Sequence, residues 1–250
     1  MILSAGFTFH LGIGNWINYG FFAFFSTLAV YNGQRIFKTE QLNKTPWLDW
    51  VKQNRRALIF VVITSSIAAL ACLISVLTFN WSTIPILAIS GMISVLYVIK
   101  VRGVNMREIP YLKIHLIAIS WTLVLIVFPI ANESIDASAL YYGFAHYLFV
   151  IGVTIPFDIR DLKHDSTKHK TIPQVGGVTN AKAIGTLSIF VFAVLIALTN
   201  RSFLLNPLFF IAVTSQIVLL SLTSERRSDI YCAGLVDGAI AILGFSYFIS

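Results

Sequence analysis

Three carboxylates stand at a spacing that chemistry can use: Asp158, Asp161 and Asp165, in the run Ile155-Pro-Phe-Asp-Ile-Arg-Asp-Leu-Lys-His-Asp165. On an α-helix the positions i, i+3 and i+7 fall within an arc of about 60°. Like charges on one helical face repel each other, and a shared cation relieves the repulsion. Hard oxygen ligands beside basic residues suit Mg²⁺ bridged to a phosphate-bearing ligand. The same residues admit a plainer reading, a solvated helix end in which Arg160 and Lys163 pair with the acids. Spacing alone does not separate the two. Asp237, in Gly-Leu-Val-Asp-Gly-Ala-Ile, is a further acid inside an apolar stretch. A carboxylate at such depth costs roughly 3 kcal/mol on insertion scales and requires a partner or a wet cavity. Either it orients a ligand in a cavity, or it is hydrogen-bonded and fixes helix packing.

The elements that must position these acids are membrane helices. Apolar residues make up 57% of the 250 residues and charged residues 12%, against about 25% charged in a soluble domain. Eight hydrophobic segments are expected, at about 10–32, 57–79, 82–99, 112–131, 138–157, 182–199, 203–222 and 230–249. They approach or exceed the roughly 18–20 residues that cross the hydrocarbon layer. Of the 18 lysines and arginines, all but Arg201 lie in or beside alternate connections: 33–56, 100–111, 158–181 and 223–229. Lys and Arg are retained on the cytoplasmic side during insertion. The pattern therefore predicts one domain, 1–250: an all-α polytopic bundle of about eight spans around a central cavity open to the cytoplasmic side. Both termini are expected outside, in a bacterial inner membrane. A net charge of +7 placed in this way speaks for a bilayer and against nucleic acid. Cys72 and Cys232 lie far apart in apolar stretches and read as packing residues, and no basic n-region precedes the first span, so no cleaved signal is expected.

Downstream of the acids, His169-Lys-Thr-Ile-Pro-Gln-Val-Gly-Gly177 adds basic groups and a glycine pair that lets backbone approach a ligand. Together, D-I-R-D-L-K-H-D and K-T-I-P-Q-V-G-G resemble the second aspartate-rich motif of the UbiA-type prenyltransferases, D-x-x-D-x-x-x-D followed by T-x-P and Gly. Tyr97-Val-Ile-Lys100 with Arg102 looks like that family's Tyr-and-Lys segment, and Asn32 like the Asn opening its first motif. The first motif departs from the pattern, since the same spacing brings Ile36 and Glu40 where carboxylates of Asp are usual. Ile cannot ligate a cation. Two readings follow: Arg35 or Lys38 meets diphosphate oxygens directly, or activity has been lost. The family usually has nine spans, so the resemblance also implies that a helix before the first segment is missing.

The resemblance implies an all-helical membrane enzyme that transfers an isoprenyl group from an isoprenyl diphosphate to an aromatic or lipid-like, apolar acceptor. It implies Mg²⁺ held by Asp158, Asp161 and Asp165. It implies substrate contacts from Asn32, Arg35, Tyr97, Lys100, Arg102 and Lys170, and Asp237 is added to these as a cavity acid. A catalytically inactive prenyl-lipid-binding or accessory relative is the alternative. A transporter ranks below both, because no paired interrupted helices or repeat symmetry is evident. Lesser features read as structural. Gly234-x-x-x-Gly238 is expected to pack helices closely, and His115 and His146 to hydrogen-bond between helices. Trp47 and Trp50 beside Lys52, Arg55 and Arg56 are expected to anchor the chain at the interface near anionic headgroups.

Overall fold

Long apolar runs fold into helices here, and the helices stop where Asn, Gly, Pro and charge interrupt them. The computed structural model describes residues 1–38, 46–78, 81, 83–101, 104–106, 109–133, 138–163 and 170–250. In chain order its helices are α1 (Ile2–His10), α2 (Trp16–Lys38), α3 (Pro46–Gln53), α4 (Arg55–Val76) and α5 (Thr83–Leu96). They continue with α6 (Leu112–Asn132), α7 (Ser138–Arg160), α8 (Ile172–Thr199), α9 (Pro207–Leu222) and α10 (Tyr231–Ile249). Beyond helices, the described residues hold one small hairpin, β1 (Lys100–Val101) against β2 (Val104–Asn105), with Lys100 opposite Asn105.

Five helices are long and apolar enough to cross a membrane: α4, α6, α7, α8 and α10. α5 and α9 are apolar but only 14 and 16 residues long, and α2 has the length, at 23 residues, with more polar side chains. α7 is the most buried of the five and α4 the least. Neighbours run in the order α4, α2, α1, α10, α9, α8, α7, α6, α5.

Several expected boundaries are corrected. The segment expected at 10–32 begins at Trp16, and Ile2–His10 forms a helix of its own, because the chain turns at Gly12 with φ +74°. Only glycine adopts that conformation without strain. α1 then packs between α2 and α10, with Met1 beside Gly20. The segment expected from 182 begins ten residues earlier, at Ile172. Pro173 suits a first helical turn, and the Gln174 side chain accepts the Thr171 N–H at 3.0 Å, a start signal inside what reads as a polar connection. Gly177, at φ +78°, breaks α8 just after that first turn. The segment expected to end at 157 continues to Arg160 and so carries Asp158 inside the helix.

Polar contacts sort the helix ends into two groups. At one end the Tyr19 hydroxyl donates to Glu133 Oε1 at 2.7 Å. Asn132 Nδ2 there donates to Tyr19 Oη at 2.6 Å and to the Val76 carbonyl at 2.7 Å. Nearby in kind, Asn206 caps α9 through Phe209 N–H and donates to the Ser246 carbonyl at 2.7 Å. At the other end Gln34 Nε2 donates to Ser94 O at 3.2 Å, Lys113 pairs with Asp158, and Lys182 Nζ donates to Ser221 O at 2.6 Å. The latter contacts join pairs of helix ends that border the basic connections.

The half away from the basic end is filled by aromatic packing. Phe7, Tyr142, His146, Phe192 and Tyr247 are buried and meet largely edge to face, the arrangement that ring quadrupoles favour. Tyr247 Oη lies 2.9 Å from His146 Nε2, whose Nδ1 lies 2.7 Å from the Tyr142 carbonyl; His115 Nδ1 meets Tyr147 Oη at 2.6 Å. Both histidines thus bridge helices, as expected. The small-residue contacts fall elsewhere than expected. A Cβ at Gly238 would meet open space, and one at Gly234 only the Ile230 side chain at 3.6 Å. Close backbone approach occurs instead between Gly6 and Gly244, and between Gly152 and Gly185, where a Cβ on Gly152 would lie 3.0 Å from the Gly185 carbonyl. The Gly234–Gly238 spacing is right for packing, but those residues face no helix.

Candidate functional site at the basic end

Asp158 sits two residues from the end of α7 and is 2% exposed. Its Oδ1 lies 2.8 Å from Lys113 Nζ, at the start of α6. A charge taken that far from water is tolerated when an opposite charge meets it at hydrogen-bond distance. Asp161, in a short 3₁₀ turn after α7, is one-third exposed and accepts from Arg160 Nε at 2.7 Å. Arg160 also reaches Asp229 Oδ1 through Nη1 at 3.1 Å and lies over the Phe157 ring, 5.5 Å from its centroid. Arg160 therefore ties the end of α7 to the approach to α10.

Asp237 follows a π-helical stretch in α10, Tyr231–Val236. Such stretches insert a residue into the helical register and recur at functional sites. Gln216 of α9, 1% exposed, donates from Nε2 to the Val236 carbonyl at 2.9 Å and so holds the backbone immediately before Asp237. The Asp237 side chain is exposed.

A cavity of about 460 Å³ is lined by Pro110, Tyr111, Leu162, Lys170, Gln174 and Val175; Leu162 follows Asp161 directly, whereas Asp237, expected as a cavity acid, is not among its lining residues. Tyr111 and Lys170 both take left-handed backbone conformations, at φ +64° and +42°, and the Tyr111 N–H donates to the Lys170 carbonyl at 3.3 Å. Non-glycine residues held there cost about 1–3 kcal/mol each, and such strain clusters at ligand sites. The two straps leading into α6 and α8 thus meet at the mouth of this cavity.

The other expected residues divide by element. Asn32 is buried and its amide donates to the Leu28 carbonyl at 2.8 Å. The Arg35 guanidinium lies 4.3 Å from the Tyr31 ring centroid, a cation–π contact. Through the Gln34–Ser94 bond the end of α2 stands beside the end of α5, which leads to Tyr97. Lys100 lies in β1. Glu40, Arg102, Asp165 and His169 lie outside the described residues. Among the described residues no three His, Cys, Asp or Glu side chains gather as a metal-binding group.

Sequence reasoning counted Lys113 only as charge and passed over Asp229 and Gln216. A signal existed for Lys113: a lysine just inside an apolar span needs an acid within reach. None distinguished Asp229 from a solvated loop acid. No protein-family model, curated protein or solved structure matches the chain.

Proposed function

We propose that the chain crosses the membrane eight times with its basic connections on the cytoplasmic side, and that it is a divergent UbiA-like prenyltransferase. In this reading it transfers an isoprenyl group from an isoprenyl diphosphate to an aromatic or lipid-like acceptor. α2, α5 and α9 then make up the count with the five helices that are both long and apolar enough to cross. One observation carries the reading: an acid of the D-x-x-D-x-x-x-D run, Asp158, is held buried at the basic end by Lys113, and a cavity lined by Lys170 and by Leu162, which follows the same helix, opens at that end.

Asp158, Asp161 and Asp165 would hold Mg²⁺, whose chemistry when bound is neutralisation of the diphosphate leaving group. The donor set suits that ion, because hard carboxylate oxygens are what Mg²⁺ takes. Lys170 and Arg35 are the cations assigned to diphosphate oxygens, and Asp161, one-third exposed, can exchange Arg160 for a metal at little cost, since exposed pairs contribute about 1 kcal/mol or less. The apolar surround keeps the prenyl tail out of water.

The test is calorimetry of purified protein with prenyl diphosphates of varied length, with and without Mg²⁺. Metal-dependent binding is expected, and Asp161→Ala should abolish both that binding and prenyl transfer while leaving membrane insertion unchanged. Turnover retained by Asp161→Ala would sink the assignment.

A second reading has its own support: Asp158 and Asp161 already hold Lys113 and Arg160, and Ile36 stands where a ligand is usual. In that reading the chain binds prenyl lipid without catalysis. Binding without Mg²⁺ and without turnover would favour it. Ile36→Asp separates the two further, because turnover gained on restoring the carboxylate marks a decayed catalyst.

A further inference from the structure

We propose that α3 and the first turn of α4 form a docking surface for anionic phospholipid, lying in the plane of the membrane at the basic end of the bundle. The inference rests on the membrane character of the chain and not on prenyl transfer. α3 is eight residues long and joins the end of α2 to the start of α4. Val51, 1% exposed, packs it onto the bundle, and the Asn54 amide donates to the Trp50 carbonyl at 2.9 Å, tying the end of α3 to the residue that precedes α4. With that side spent, Trp50 is 51% exposed, and Lys52, Arg55 and Arg56 are exposed as well. Asp49 is the one exposed acid among them.

The combination points to a headgroup layer. α4, long and apolar enough to cross a membrane, begins at Arg55, so the cations stand at the level where such a span would enter the interface. Indole rings settle at that level because one edge is polar and the face is apolar. Three cations against one acid attract a surface of negative charge, at about fivefold in affinity per basic residue at low salt and less when screened. A free phosphate ion would satisfy the cations but leave the Trp50 face in water. The occupant to which both halves of the surface are complementary is a phospholipid with net negative charge, its phosphate on the basic residues and its upper acyl chain against Trp50.

The full chain in vesicles of mixed phosphatidylcholine and phosphatidylglycerol tests this, with bromine on the acyl chains of one lipid at a time. Brominated phosphatidylglycerol should quench tryptophan fluorescence more than brominated phosphatidylcholine at equal mole fraction. The difference should shrink clearly in Trp50→Phe, with Trp47 contributing the remainder, and it should fall about two- to fivefold in Lys52→Gln and further in Lys52→Gln/Arg55→Gln/Arg56→Gln. Lys52→Gln alone alters one exposed side chain, so it gives a reading even if the triple variant folds poorly. Equal quenching by both lipids overturns the proposal, as does a preference undiminished in Trp50→Phe. Loss of the preference on adding millimolar inorganic phosphate, at constant ionic strength, would assign the cations to a free anion and overturn the docking surface.

Discussion

Asp158→Ala is expected to destabilise the folded protein by about 3–5 kcal/mol, the cost of removing one partner from a buried ion pair. Asp158 is 2% exposed and Lys113 is 16% exposed, so the lower figure is the better guide. The cause is not loss of attraction alone: the Lys113 ammonium stays in a poorly solvated place without the carboxylate that compensates it. Lys113→Met should cost a similar amount, for the mirror reason. The informative chain is Asp158→Leu/Lys113→Met, in which both charges are gone and apolar volume remains. Such replacements are often neutral or stabilising, so the double variant should recover most of the stability that either single loses. With Asp158→Leu alone closing the cycle, a coupling near zero would show that the two groups do not depend on each other. The cycle also separates structure from chemistry. If Asp158 serves prenyl transfer, the double variant is stable and inactive; if the pair only fastens α6 to α7, ligand binding returns with stability.

Gly244→Ala and Gly6→Ala are expected to be the most damaging methyl additions among the described glycines. A Cβ on Gly244 would stand 2.6 Å from two backbone atoms, Ile2 C and Leu3 N, and one on Gly6 would stand 2.0 Å from the Gly244 carbonyl oxygen. No side-chain rotation relieves contacts made by backbone, so α1 must move away from α10. Overpacking of this kind costs about 1–3 kcal/mol and more where nothing yields, and close approach of small residues is a main source of helix association in membranes. Gly238→Ala is the control. Its Cβ meets nothing within 4 Å, and alanine is the better helix former by about 1 kcal/mol. Unfolding in a denaturing detergent should therefore show Gly244→Ala falling well below the parent and Gly238→Ala at or above it. Similar values for the two would mean that α1 is not seated on α10.

The two glycine sets show what could be read in advance and what could not. Gly234-x-x-x-Gly238 has the right spacing, yet spacing states only that two small residues share a helical face. Whether another helix lies over that face depends on the rest of the chain, and here it does not. The Gly6 and Gly244 contact joins residues near opposite ends of the sequence, and no local pattern announces it. α1 escaped notice for a related reason. The apolar run is continuous across Gly12, and the turn there depends on a positive φ that glycine permits but does not compel. The start of α8 was hidden by its polarity, although Thr171, Pro173 and Gln174 carry an N-terminal signature.

The acids divide in the same way. Their presence on one stretch of helix at the basic end was legible from spacing and charge. Their partners were not. Arg160, adjacent in sequence, was foreseeable for Asp161. Lys113 was foreseeable only as a lysine in need of an acid.

By its sequence alone this chain is committed to apolar helices long enough for a membrane and to placing its basic residues in alternate connections, because apolar character and charge belong to each segment through its own composition. The tertiary structure decided which cation each acid meets, which glycines touch, and where a cavity remains. Those outcomes turn on side chains from distant segments meeting within a few ångströms, and contact at that scale follows from how the whole bundle packs.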